Sequence, residues 1–158
     1  MHLKGSCHCG AVSFSCESKH PYPYMRCYCS ICRKVAGGGG YAINLGGEAD
    51  TLAVQGLDNV RVYHAKRPDG GESPLGRRFC GRCGSMLWVW DSRWPELIHP
   101  FASAIDTPLP TPPENVHLML DYKPDWVTVS RGTGDQVFGE YPEESIADWH
   151  HTRELETD

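Results

Sequence analysis

Phe79-Cys80-Gly81-Arg82-Cys83-Gly84-Ser85-Met86-Leu87-Trp88-Val89-Trp90 joins a metal-knuckle pattern directly to a strand pattern. Two thiols three positions apart reach one ion only across a tight turn. Gly81 and Gly84 free the backbone to take positive φ there and to aim N–H groups at the sulfurs. The apolar run Met86–Trp90 that follows reads as a buried strand, and it is the longest unbroken apolar run in the chain, so no transmembrane helix is expected. Working outward, the same pattern of short strands recurs at Val12–Cys16, Tyr41–Leu45, Leu52–Val54, Val60–His64, Val116–Leu120 and Trp126–Ser130. Turn signals separate them: Gly46-Gly47, Asp58-Asn59, Pro68-Asp69-Gly70-Gly71 and the proline-rich stretch from Pro108 to Pro113. No helical period of useful length precedes residue 142, and the polar stretch His64–Gly76 reads as a loop. The fold class is therefore all-β, built from antiparallel sheets, with a short helix near the C-terminus.

Eight cysteines bear on function: Cys7, Cys9, Cys16, Cys27, Cys29, Cys32, Cys80 and Cys83. Disulfides, reduced thiols and metal binding are the available readings. The first motif begins at Cys7, leaving no room for a cleaved secretory signal, and seven of the eight cysteines fall in tight clusters, so zinc is favoured. Cys7-His8-Cys9, flanked by Gly5 and Gly10, is a weaker signal alone than the 80–83 knuckle. Seven thiols divide as four plus three: four thiolates make a closed structural site, and three leave a position open for water or substrate. Spacing leaves the pairing of the clusters open. Cys27, Cys29 and Cys32 can bind one metal locally, which leaves Cys7, Cys9, Cys80 and Cys83 to close the other. Cys16 shares a strand face with Val12 and Phe14 and reads as a small core residue.

Composition bounds the rest. A chain of 158 residues with 40% hydrophobic and 10% aromatic content can bury one core and is not disordered. The formal charge of −5 becomes −8 once seven thiolates and two zinc ions are counted, which excludes a general nucleic-acid binder. Residues 1–140 read as one zinc-binding β-domain and residues 141–158 as a partly helical tail. In that tail Glu143 and Glu144 precede His150, His151 and Arg153, an order that suits a helix dipole. His150-His151 reads as solvated surface. A cytoplasmic location follows from free thiols and the lack of targeting signals; no membrane partner is expected, and a homo-oligomer is compatible with the sequence.

Together these motifs resemble one family, the glutathione-dependent formaldehyde-activating enzymes, which also includes centromere protein V. The matching elements are Gly5-Ser6-Cys7-His8-Cys9-Gly10-Ala11-Val12, Cys27-Tyr28-Cys29-Ser30-Ile31-Cys32-Arg33-Lys34, Phe79-Cys80-Gly81-Arg82-Cys83-Gly84-Ser85 and Lys123-Pro124-Asp125-Trp126-Val127. The resemblance implies a β-tent pinned by zinc. It also implies a structural zinc on Cys7, Cys9, Cys80 and Cys83, and a catalytic zinc on Cys27, Cys29 and Cys32. The implied activity is that of a carbon–sulfur lyase or synthase, with glutathione and formaldehyde giving S-(hydroxymethyl)glutathione.

Supporting roles are open to simpler readings. Arg33 and Lys34 can pair with glutathione carboxylates or merely balance charge. Gly37 and Gly38, in the run Gly37–Gly40, can offer backbone N–H groups to an oxyanion or form a plain loop. His8, His64, His99 and His117 are candidate acids, bases or ligands, with surface or core roles favoured. Trp88, Trp90 and Trp126 read as core or interface aromatics. Two other functions compete with the enzyme: a non-enzymatic zinc-stabilised module that binds a protein partner, and a zinc or redox sensor.

Overall fold

The computed structural model describes residues 1–36 and 38–155. In chain order the strands are β1 (His2–Ser6), β2 (Ser13–Glu17), β3 (Tyr24–Cys27), β4 (Ala42–Asn44), β5 (Gly47–Glu48), β6 (Ala53–Gln55), β7 (Val60–Lys66), β8 (Glu72–Cys80), β9 (Met86–Trp90), β10 (Leu97–Pro100), β11 (Asn115–Leu118) and β12 (Gln136–Val137). Two seven-residue helices complete the regular structure, α1 (Ser30–Ala36) and α2 (Ile146–Thr152), with short 3-10 turns between strands. The strands form three sheets, ordered β1-β2-β6, β5-β10-β9-β8-β7 and β12-β11-β3-β4. The first two are antiparallel throughout. The third also holds parallel pairs, β11 with β3 and β11 with β12, because a long excursion of the chain separates β3 from β11. Among the described residues no helix is long and apolar enough to cross a membrane.

Alternation sets the packing. Leu3 on β1 and Phe14 and Cys16 on β2 face inward with Leu87 and Trp88 of β9 and Ile98 of β10, all buried. The Phe14 and Trp88 rings lie 5.0 Å apart in a tilted pair, clamping the first sheet onto the second. Gly5 sits where a Cβ would lie 2.5 Å from the Ala104 carbonyl oxygen, so only glycine lets that loop close on β1. A second core cluster (Cys27, Cys32, Ala42, Val89, Phe101 and Leu118) joins the second sheet to the third.

Several expectations are corrected here. Trp126–Ser130 is not a strand: Asp125 and Trp126 form a turn after Pro124, fastened by Lys123 Nζ donating to the Pro124 and Val127 carbonyls, and Trp126 is 66% exposed rather than a core aromatic. The polar stretch from His64 to Gly76 is mostly hairpin, β7 and β8 with a bulge near Ala65. It is polar because β7 is a sheet edge and is exposed along most of its length. A helix does occur before residue 142, but α1 is two turns long, too short for an apolar period to show.

The tail docks. Ser145 caps α2 in a reciprocal capping box with Asp148. Trp149 is buried and its indole N–H donates to Glu114 Oε1 at 2.6 Å, and Arg153 pairs with the same carboxylate. His150 is not solvated as expected: its Nε2 lies 2.7 Å from the Tyr22 carbonyl oxygen and its ring packs on Trp149 and His20.

Candidate metal centres

The turn between β1 and β2 carries Cys7 and Cys9, and the turn between β8 and β9 begins at Cys80 and carries Cys83. The four sulfurs converge within 4.8 Å of one another. Cys7 and Cys9 sulfurs are 3.6 Å apart and Cys9 and Cys80 sulfurs 3.8 Å apart. A disulfide bond is roughly 2.05 Å. The edge of a tetrahedron with bonds of roughly 2.3 Å is roughly 3.8 Å, so the spacing fits four thiolates on one zinc. The turn geometry explains the fit. Gly84 sits at φ +77° and its N–H donates to the Cys80 carbonyl, and Gly10 closes the other turn at φ +73°. Gly81 does not take positive φ. It is glycine because a Cβ there would meet the Arg61 side chain at 2.9 Å. The Val12 N–H donates to the Cys7 sulfur at 3.2 Å. Burial pushes the Cys7 thiol up, yet that amide and the neighbouring sulfurs bring it below the usual range. Hydrogen bonds from Ser85 hold Cys83 down to about 5.

The second group lies at the end of β3 and the start of α1. Cys27 ends the strand, Cys29 sits in the link and Cys32 in the first turn of the helix, with their sulfurs likewise within 4.8 Å. The Cys29 sulfur accepts from the Cys32 N–H at 3.3 Å, and its carbonyl accepts from the Arg33 N–H at 3.0 Å, so the helix start is built on the candidate ligand itself. Hydrogen bonds from the other two sulfurs hold the Cys29 thiol down to about 2, and the same contacts push Cys27 far above the usual thiol range. Cys27 and Cys32 are buried and Cys29 is partly exposed, so the cluster opens on the Cys29 side. No histidine or carboxylate joins either group among the described residues. Cys16 is fully buried in the core, where burial raises its thiol to about 11.

Arg33 and Lys34, in the last turn of α1, line an open cavity of about 360 Å³ with Ala36, Gly38, Gly84 and Met86. Neither forms an ion pair among the described residues, and Arg33 Nε is buried without a partner. Gly38 is exposed; Gly37 lies outside the described residues. His8 and His64 stand outside the clusters, and the His99 Nδ1 lies 3.1 Å from the Leu45 carbonyl oxygen.

Three residues near the triplet escape a reading of the sequence. Tyr28, between two of the cysteines, is 1% exposed, and its hydroxyl lies 2.9 Å from His117 Nδ1. His117 Nε2 in turn lies 3.2 Å from Asp135 Oδ2. Burial would raise the Asp135 carboxyl, but N–H groups of Gly132 and Asn115 and the His117 ring hold it well below the usual carboxylate range. Arg77, on β8, is 5% exposed and its Nη1 reaches the Cys32 sulfur at 3.7 Å. A short-range pattern could flag none of these roles: Arg77 reaches the Cys32 sulfur from another sheet, and Tyr28, although next to the cysteines in sequence, is joined to Asp135 only through His117 on β11.

Comparison with known proteins places this geometry. The sequence profile described as glutathione-dependent formaldehyde-activating enzyme matches residues 2–120. A curated protein of Halomonas elongata, provisionally named a glutathione-dependent formaldehyde-activating enzyme, is 63% identical over 156 residues, covering 99% of each chain. Among solved structures, a Rhodobacter sphaeroides protein superposes with a TM-score of 0.53 at 23% identity, covering 85% of this chain and 98% of that one. That last likeness concerns the fold alone.

Proposed function

Because the chain belongs to the family of glutathione-dependent formaldehyde-activating enzymes, we propose that it forms and cleaves a carbon–sulfur bond reversibly, joining glutathione to formaldehyde as S-(hydroxymethyl)glutathione. The observation that carries this reading is the division of seven thiols into a closed group of four and a group of three with one open side. Zinc suits both donor sets, and in the three-thiolate site it would supply a Lewis acid that favours the ionised form of an incoming thiol.

The protein's own residues do the remaining work. Cys27, Cys29 and Cys32 would hold the ion, and the partly exposed Cys29 leaves that side of the group accessible. Cys7, Cys9, Cys80 and Cys83 fix the two sheets against each other. Arg33 and Lys34 line the cavity beside α1 and take the glutathione carboxylates, and Gly38 on the same cavity adds no side chain to it. In the forward direction the sulfur bonds to the carbonyl carbon, the C=O π pair moves to oxygen, and the proton released by the thiol ends on that oxygen. Held together, the two reactants gain up to about 7–11 kcal/mol from proximity and orientation. On this reading residues 1–140 form the zinc-bearing β-tent, residues 141–158 an appended tail, and the enzyme works in the cytoplasm on a small thiol rather than on nucleic acid.

The test is exchange spectroscopy on zinc-loaded protein with glutathione and formaldehyde, together with zinc per chain before and after brief chelation. The expected result is adduct exchange faster than in buffer, two zincs per chain and one removed quickly. Exchange no faster than buffer, with both zincs held tightly, would sink the enzymatic reading.

A further inference from the structure

Arg77 is a buried cation with no carboxylate to balance it. It is 5% exposed, forms no ion pair among the described residues, and its Nε has no hydrogen-bond partner. Its Nη1 faces the Cys32 sulfur at 3.7 Å, within reach of a charge-assisted N–H···S contact. Buried charges persist in proteins when they are paired, because taking an ion out of water is costly. The counter-charge here is the sulfur cluster. Three thiolates and one zinc carry −1, which Arg77 cancels; a fourth thiolate from substrate takes the centre to −2, and Arg77 returns it to −1. The quartet reaches −2 on its own ligands, but Cys9 and Cys83 are exposed to water, which screens the charge. The triplet, with Cys27 and Cys32 buried and only Cys29 partly exposed, has less of that screening.

The position of Arg77 in the fold fits that role. It stands on β8, the strand that ends in Cys80, so one strand carries a ligand of the quartet and the cation of the triplet. It pairs across the sheet with Val89, which belongs to the cluster packed around Cys27 and Cys32. Arg77 therefore reaches the triplet from another sheet, fixed by the same scaffold that the quartet pins.

We propose that Arg77 is the counter-charge of the triplet centre, a positioning residue that lets its buried three-thiolate zinc accept an anionic sulfur from the substrate. This rests on the reading of the triplet as a zinc site. The experiment replaces zinc by cobalt in the full chain and follows the thiolate-to-cobalt absorption as glutathione is added, for the native protein, Arg77→Met and Arg77→Lys. Arg77→Met should weaken glutathione binding by about 10–100-fold, the range typical of losing a partner just outside the ligands, while keeping two cobalts per chain. Arg77→Lys, which keeps the charge, should stay within a few-fold of native. Unchanged glutathione affinity in Arg77→Met, with two cobalts bound, overturns the role of Arg77 and leaves the zinc reading intact. A native chain that takes up only one cobalt overturns the zinc reading and this role with it. If Arg77→Met fails to fold, Arg77→Gln, which keeps a polar side chain without the charge, takes its place: a loss of the same size supports the charge role, and unchanged affinity overturns it.

Discussion

The two sulfur groups are built by opposite routes. The quartet joins turns far apart in the chain, Cys9 meeting Cys80 across 71 residues, and two of its members face solvent. The triplet is contained in Cys27–Cys32, opens beside Cys29, and is tied to groups from elsewhere: Arg77 of the second sheet reaches Cys32, and Tyr28, within the segment itself, meets His117 on β11 and through it Asp135. Closing a long loop is where a metal clip contributes most to folding. A site closed over six residues constrains little, so it is free to exchange a ligand. On the function proposed above, the group closed over a long range holds the fold, and the group closed over a short range with borrowed support does the chemistry.

The largest effects should separate the two groups. Structural zinc contributes about 10–16 kcal/mol in small zinc domains, as much as the whole stability of an ordinary domain, about 5–15 kcal/mol. Cys80→Ser, at a fully buried ligand, should therefore abolish the cooperative thermal transition seen by circular dichroism. Cys29→Ser should lose one zinc and the glutathione-dependent exchange, while its melting temperature stays within about 4 °C, roughly 1 kcal/mol at this size. A Cys80→Ser chain that still melts cooperatively would erase the distinction between the groups.

The quartet and the triplet were readable in the sequence for the reason that separates them least: every one of their cysteines sits in a cluster of two or three, and the quartet's turns add Gly10 and Gly84 beside theirs. Strand β9 was readable to its ends because Met86–Trp90 is apolar throughout between a glycine turn and Asp91. Strand β8 was not. Its Pro74, Gly76, Arg77 and Arg78 break any alternation, and a bulge against β9 shifts the face that each residue shows. Helix α1 escaped because a metal-ligand loop, rather than an apolar stripe, sets it up. Nothing local marks Arg77 as buried next to Arg78, or Asp135 as the anchor of a histidine 18 residues earlier. Support from across the fold is a property of packing, and periodicity does not encode it.

The support behind the triplet gives the next effect. Asp135→Ala removes the acceptor for the N–H groups of half-buried Asn115 and exposed Gly132 and for the fully buried His117. Hydrogen bonds to a charged group contribute about 1.5–3 kcal/mol and orphaned buried donors add to the loss, so urea unfolding should show a cost of about 2–4 kcal/mol. Cobalt titration sharpens the comparison further. The variant should bind its triplet metal more weakly with the quartet unchanged, because Tyr28 lies between two triplet ligands and touches none of the quartet. Equal weakening at both groups would show that Asp135 serves the fold generally.

The smallest effects compare the two glycine turns. Gly84 closes the quartet turn at φ +77°, and a Cβ there meets nothing within 4 Å, so the cost of alanine is purely conformational. A left-handed backbone with a side chain costs about 1–2 kcal/mol, and Gly84→Ala should lose about that much in denaturant unfolding while still holding two zincs. Gly38, on the cavity lined by Arg33 and Lys34, also has open space around it but no positive φ. There alanine narrows only the unfolded chain, and substitutions of that kind stabilise by about 0.4–1 kcal/mol. Its backbone N–H survives the change, so glutathione exchange should keep its native rate if the glycine acts through the main chain or not at all. A slower exchange with unchanged stability would mean that the substrate fills the space over Gly38, and the approach to the triplet would then be a fitted surface rather than an open one.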